Sequence, residues 1–155
     1  MQHIVLGHFK LVSKELPRQS LEASLFRCGC NSIAWARSMV RVMEIDPPWG
    51  SIEFKAVAVS VEELGFPTVA TLEEIVRQGE ENGLSRCFSR VGPVLVECGV
   101  LPQGRSFIVA MDPVKDANGE GVFEIGNGSL GACHAEKNAS FPKDAVFVFI
   151  QAEFQ

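Results

Sequence analysis

The sequence predicts an α+β fold in which an N-terminal αα-hairpin and one further helix pack on a mainly antiparallel β-sheet. Three observations support this prediction: helical apolar spacing before residue 43, a strongly capped helix at 72–82, and alternating apolar segments joined by short turns after residue 105. The 155 residues suit a single domain, 1–155. We expect the helices to cover one face of the sheet with their apolar stripes.

A first strand is predicted over 4–12, and the αα-hairpin follows it. Ser20 can cap a first short helix, which ends at Gly29. Asn31 or Ser32 can cap a second helix that runs to about residue 43, before the two prolines of 46–50.

The remaining elements are predicted from caps, turns and alternation. The second half of strand 52–59 is apolar on both faces, which favours a central position in the sheet. Thr71 and Glu74 form a capping box for helix 72–82, and Gly83 ends that helix. Strands are predicted over 105–112, 121–125, 130–135 and 145–151, with Asn118-Gly119 as turn chemistry in a loop longer than two residues.

Composition favours a cytoplasmic protein. No apolar segment approaches the ~20 residues that span a bilayer, and the first residues lack the basic start of a signal peptide. Five cysteines, an odd number, favour buried free thiols over a disulfide framework. The net charge of −5 divides into +4 over residues 1–43 and −9 over 44–155.

The candidate binding residues are Arg37, Arg41, Trp35, Trp49 and Arg105. Arg37 and Arg41 lie one helical turn apart in the basic segment, where they could meet phosphates, and the tryptophans offer stacking area. A solvated helix face with two core tryptophans explains the same pattern. Because the chain as a whole is acidic, nucleic-acid binding is the alternative rather than the expectation.

No catalytic constellation is recognisable, and the catalytic residues stay unknown. Cys28 and Cys30 with Cys133-His134 have poor zinc spacing, since adjacent residues of a strand point to opposite faces. Cys87 or Cys98 could meet His134 as a nucleophile and base, but nothing in the sequence indicates it. The acidic segment 112–120 lacks the register of a calcium loop. We therefore expect no metal and no cofactor.

A series of motifs over residues 56–126 resembles a known family. It comprises Glu-Leu-Gly-Phe at 63–66, the capped helix, Gly-Leu-x-x-Cys at 83–87, Val-Gly-Pro at 91–93, and Ala-Met-x-Pro-Val-x-Asp at 110–116. The chain resembles an uncharacterised bacterial family common in environmental sequences and, further, open reading frames on mobile, integron-type gene cassettes. It departs from the family at Phe88, where proline is usual, and at 128–131, where Gly-Leu-Trp-Leu is usual. The resemblance implies shared architecture and no established activity.

The missing catalytic signature and the divided charge favour a non-enzymatic binding or interaction module. Its partner would be a second copy, another protein or a small molecule, and no membrane is expected. Two alternatives stay open: a small enzyme with a Cys/His or Asp site, and nucleic-acid binding through the basic αα-hairpin.

Overall fold

The computed structural model describes residues 3–13, 31–43, 50–100, 104–126 and 129–152. In these ranges the chain forms three short helices and ten strands, and strands predominate. The helices are α1 (Ala34–Val42), α2 (Leu72–Glu81) and α3 (Val91–Glu97). The strands are β1 (Ile4–Ser13), β2 (Asn31–Ser32), β3 (Gly50–Ser60), β4 (Val69–Thr71), β5 (Phe107–Val109), β6 (Val114–Asp116), β7 (Gly119–Gly126), β8 (Ser129–His134), β9 (Ser140–Pro142) and β10 (Val146–Ala152). None of the helices described is long and apolar enough to cross a membrane.

Eight strands form one mixed sheet. Seven of them follow the order β1-β3-β10-β5-β7-β8-β2, and β6 pairs with β7. Strand β10 is antiparallel to β3 and parallel to β5, while β2 is parallel to β8. Strands β4 and β9 form a separate antiparallel pair. The last strand described therefore lies inside the sheet, next to a strand formed much earlier in the sequence.

The central strands are buried on both faces. Residues 56–59 of β3 and 146–150 of β10 are all buried, which means that successive side chains on either side of each strand are covered. Such continuous apolar strands need packing partners on both faces of their sheet. Helices on one face alone could not supply them.

Helices α2 and α3 lie on opposite faces of the main sheet. A Cβ atom at Gly79 of α2 would lie 2.4 Å from the ring of Phe149, and one at Gly92 of α3 would lie 3.1 Å from the side chain of Phe123. Phe149 lies on the same face of the sheet as Phe147, two residues earlier in β10. Phe147 pairs with Ile108 of β5, which pairs with Glu124 of β7, so Glu124 lies on that face too. Because Phe123 and Glu124 are neighbours in one strand, Phe123 points to the other face.

The chain combines helices and strands, but the predicted architecture is wrong. Helix α1 packs against β6 and β8 rather than forming one arm of an N-terminal αα-hairpin on the sheet. The sheet described is mixed, since two of its seven strand pairings are parallel, and helices cover both of its faces. The first helix predicted for the hairpin falls within 14–30, outside the residues that the structure describes.

Among the local predictions, one helix is confirmed, and a strand and a loop are shorter than predicted. Helix α2 and its capping box are confirmed: Oγ1 of Thr71 accepts from the backbone N–H of Glu74, whose carboxylate accepts from the N–H of Thr71. The strand predicted over 105–112 is shorter, since Met111 instead bridges to Cys87. The loop between β6 and β7 has only two residues, because Asp116 already pairs with residue 119.

Helix α3 was not predicted from the sequence. Its segment begins Val-Gly-Pro, a combination more typical of turns. Proline is tolerated in the first turn of a helix, where its missing N–H has no intrahelical partner. Gly92 fits because the ring of Phe123 leaves little space beside it. Contact with the sheet thus outweighs the weak helix propensity of this segment.

Candidate functional site

A pocket of about 420 Å³ opens between α2, the segment that follows β5, and the segment that follows β8. Five apolar side chains contribute to it: Leu72, Val76, Met111, Pro113 and Ala135. Eight charged side chains complete the lining: Glu73, Arg77, Glu80, Arg86, Asp112, Glu120, Glu136 and Lys137. The pocket therefore combines an apolar base with a rim that carries both signs of charge.

Helix α2 supplies one wall because of its periodicity. Leu72, Val76 and Glu80 recur every four residues and so lie along one side of the helix. The capping box at Thr71 fixes where the helix begins, and this sets the register of that side. Met111 lies opposite, in the segment after β5.

Arg86 joins two walls of the pocket. Its Nε and Nη2 donate to Oε1 of Glu80 at 3.1 Å and 2.9 Å, and its Nη1 donates to Oδ1 of Asp112 at 2.6 Å. These hydrogen bonds, that to Asp112 foremost, raise the pKa of Arg86 above its ordinary value. The partners are well exposed, so the ion pairs add little stability. Their effect is to hold the guanidinium in one orientation.

Charge on the lining is unbalanced towards acid. Five carboxylates face three basic side chains around the pocket. Two of the bases are already engaged, since Arg77 pairs with Glu73 at 3.3 Å and Arg86 pairs with two carboxylates. Lys137 alone among the three makes no ion pair with the residues that the structure describes.

Glu136 connects the pocket to an aromatic pair at the end of β8. Its Oε1 lies 3.0 Å from Nδ1 of His134, and the histidine lowers the pKa of Glu136 below its usual range. The ring of His134 contacts the indole of Trp35, with centroids 4.6 Å apart and planes tilted by 53°. This side of the pocket therefore borders α1 through one aromatic contact.

A second contact anchors α1 at the β6–β7 hairpin. The hydroxyl of Ser38 donates to Oδ2 of Asp116 at 2.7 Å, and the backbone N–H of Asn118 donates to Oδ1. The hydroxyl of Ser38 is the main reason why the pKa of Asp116 lies below its ordinary value. Both carboxylate oxygens of Asp116 therefore accept hydrogen bonds that link α1 to the β6–β7 turn.

The described thiols lack the environment of a nucleophile. Cys87 is buried and its Sγ donates to the carbonyl of Val148, and burial raises its pKa well above the ordinary value. Burial also raises the pKa of Cys133 to about 12. Cys98 is exposed, yet its pKa is raised as well, chiefly by desolvation. A reactive thiol requires the opposite shift.

No group of three His, Cys, Asp or Glu side chains that could hold a metal ion occurs among the described residues. Cys28 and Cys30, the other half of the zinc site considered from the sequence, lie outside those residues. The adjacent Cys133 and His134 follow each other in β8 and so point to opposite faces of the sheet.

The predicted binding residues do not line this pocket. Arg37 and Arg41 are exposed on α1, and Arg105 is exposed just before β5. Trp35 is half-buried against His134, and Trp49 lies outside the described residues. Nothing in the structure tests whether these side chains bind a partner, so their role stays a prediction.

Sequence reasoning did not find the pocket. The only local indications were the capped helix and its Glu73–Arg77 spacing, which predicted α2 but not what faces it. Arg86 and Asp112 are 26 residues apart and meet only through the bridge between Cys87 and Met111.

Comparison with protein-family models, with curated proteins and with solved structures finds no match to this chain. Its class is accordingly defined by the fold and the site alone: a domain of helices on both faces of a mixed sheet, with a charged pocket beside α2.

Proposed function

We propose that the chain is a non-enzymatic binding module whose ligand occupies the pocket beside α2. The observation that carries the proposal is the pocket itself. Its volume of about 420 Å³ is of the size used by small-molecule sites, roughly 300–1,000 Å³. An apolar base with a few fixed polar groups is the usual composition of such sites.

The fixed orientation of Arg86 supports binding. A side chain that is already held by Glu80 and Asp112 loses little conformational freedom when a ligand arrives. The pocket walls also come from structured elements, α2 and the bridge at Met111, rather than from long loops.

The chemistry of the described residues supports a binding role over a catalytic one. General bases work best with a pKa near the operating pH, and nucleophilic thiols need a lowered pKa. The pKa values of Asp116 and Glu136 are shifted down, and those of Cys87 and Cys133 are shifted up. Each of these four shifts moves the group away from neutral pH, and Glu124, whose pKa is raised by burial, lies outside the pocket lining.

The test is ligand binding with the pocket open and with it filled. Fragments are added to ¹⁵N-labelled protein, and shifts are expected in the amide signals of 72–80, 111–112 and 135–137. Val76→Trp places an indole in the pocket and should abolish these shifts. Val69→Trp is the matched control, since Val69 is 55% exposed and lies outside the lining.

Either of two results contradicts the proposal. One is the absence of any fragment whose shifts map to the pocket in the unmodified chain. The other is a set of shifts that survives Val76→Trp in a folded variant, because the fragments would then be bound elsewhere.

Nucleic-acid binding is a second proposal, carried by a different observation. Arg37 and Arg41 are both exposed and lie one turn apart on α1. Filter binding of RNA and DNA at low salt tests it, with Arg37→Ala plus Arg41→Ala as the variant and Arg77→Ala as a control on α2. Retention that falls only in the double variant supports the proposal, whereas no retention at all contradicts it.

Two further parts of the proposal rest on sequence patterns. We propose that the protein is cytoplasmic and that it associates with itself, with another protein or with a small ligand. We also propose that it belongs to the uncharacterised bacterial family, some of whose genes lie on integron-type cassettes. The motifs that carry this resemblance include α2 and the Met111 segment, which form two walls of the pocket.

A further inference from the structure

We propose that the pocket selects a ligand that carries a protonated amine on an apolar body. This inference rests on the proposed function, and it adds the charge and shape of the ligand. It follows from which charged groups around the pocket are already satisfied and which are available.

The basic side chains are largely satisfied. Arg86 donates three hydrogen bonds to Glu80 and Asp112, and Arg77 pairs with Glu73. An anionic ligand would meet two arginines whose charge is already offset by these carboxylates, which leaves Lys137 as the lining base without such a pair among the described residues. The carboxylates of the lining would repel it, so the pocket disfavours anions.

The carboxylates are only partly used. Arg86 takes Oε1 of Glu80 and Oδ1 of Asp112, and Arg77 takes Oε1 of Glu73, which leaves the second oxygen of each to accept a hydrogen bond. Glu120 adds a further carboxylate to the lining. An ammonium group has three donors and no acceptor, and it therefore matches a rim rich in acceptors.

The acid excess survives when one neighbouring base, Lys115, is also counted. Lys115 lies opposite Glu120 in the β6–β7 register, outside the lining. Adding it to the three lining bases still leaves five carboxylates in the majority. Oppositely charged ligands are attracted to a concave surface of one net sign, because low-dielectric walls focus its field.

The base of the pocket sets the second requirement. Leu72, Val76, Met111, Ala135 and the exposed Pro113 supply the apolar floor of the pocket. A bare inorganic cation or a small polar amine would leave that floor in water. An amine with an aromatic or aliphatic body would cover it, and removing apolar area from water favours binding.

Three probes of similar shape separate charge from shape: benzylammonium, benzyl alcohol and benzoate. Binding to ¹⁵N-labelled protein is measured at pH 7 and low ionic strength. We expect benzylammonium to bind at least about fivefold more tightly than benzyl alcohol, and benzoate more weakly still, as one or two partly exposed charge contacts would give.

Charge variants complete the experiment. Glu120→Gln should weaken benzylammonium binding about twofold to fivefold and leave benzyl alcohol unchanged. Glu62→Gln removes the same charge from an exposed turn outside the lining and should leave binding of both probes unchanged. Spectra of both variants report directly whether they are folded.

The outcomes distinguish this inference from the proposed function. Equal binding of all three probes in the pocket, or preference for benzoate, overturns the amine inference while the binding module stands. A folded protein in which none of the three probes shifts signals of the pocket counts against the binding module itself.

Discussion

Gly79→Ala measures how closely α2 packs on the sheet. Alanine favours a helix interior over glycine by about 1 kcal/mol. Against this gain, a Cβ atom at residue 79 would lie 2.4 Å and 2.6 Å from two ring carbons of Phe149. Overpacking costs about 1–3 kcal/mol. Phe149 is fully buried in a central strand, so its ring has little room to move and the cost should fall in the upper half of that range.

The expected net effect is a loss of about 1–2 kcal/mol in the free energy of unfolding, or about 2–8 °C in Tm. Urea unfolding followed by circular dichroism measures it. Phe149→Leu serves as the partner variant, because a smaller side chain gives the new methyl group space. The double variant should be more stable than the sum of the two single effects predicts, by about 1 kcal/mol. A Gly79→Ala protein that gains the full helix propensity would refute the packing argument.

Three further predictions address capping, pH and thiol chemistry. Thr71→Ala removes the capping box with Glu74 and should cost about 1 kcal/mol in urea unfolding, and an unchanged midpoint would contradict the role of the cap. Burial raises the pKa of Glu124 in the folded state. The contribution of Glu124 to stability is therefore present below its unfolded-state pKa, near 4.3, and is lost as pH rises through its folded-state pKa. Glu124→Gln should therefore be more stable than the parent at pH 7 but not at pH 4. The same difference in the free energy of unfolding at both pH values would contradict the raised pKa. In peptide mapping after iodoacetamide, Cys98 should be alkylated in the folded protein and Cys87 only after unfolding, and early modification of Cys87 would show that it is accessible.

Local structure was predictable where the sequence holds its own punctuation. Thr71 and Glu74 define the start of α2 through contacts three residues apart, and glycine at 83 adopts a φ of +83°, as its position after the helix requires. The strand pattern of β3 likewise depends on its own residues. These features need no knowledge of the rest of the chain.

The architecture was not predictable from the same evidence, although one observation pointed to it. Residues 56–59 are apolar on both faces, which requires cover on both sides of the sheet. Helix α3, which packs on one face of the sheet at Phe123, carries Gly92 and Pro93 in its first turn and has no helical pattern of its own. Its structure comes from contacts distant in sequence.

The candidate site was missed for a related reason. The basic residues predicted a binding surface on α1, where Arg37 and Arg41 share one exposed face. The pocket depends instead on Arg86 meeting Glu80 and Asp112, a contact that spans 26 residues on one side. Charge counted along a sequence cannot show which charges have found partners.

The position of β10 has a consequence for how the protein assembles. Val146–Ala152 inserts between β3 and β5, so neither of those strands has its central neighbour until almost the whole described chain has been synthesised. Pairings across such long sequence separations are slow to form. During translation the edges of β3 and β5 that later pair with β10 would stay unpaired, and a nascent chain that does not yet include residues 146–152 would expose them to aggregation or chaperones.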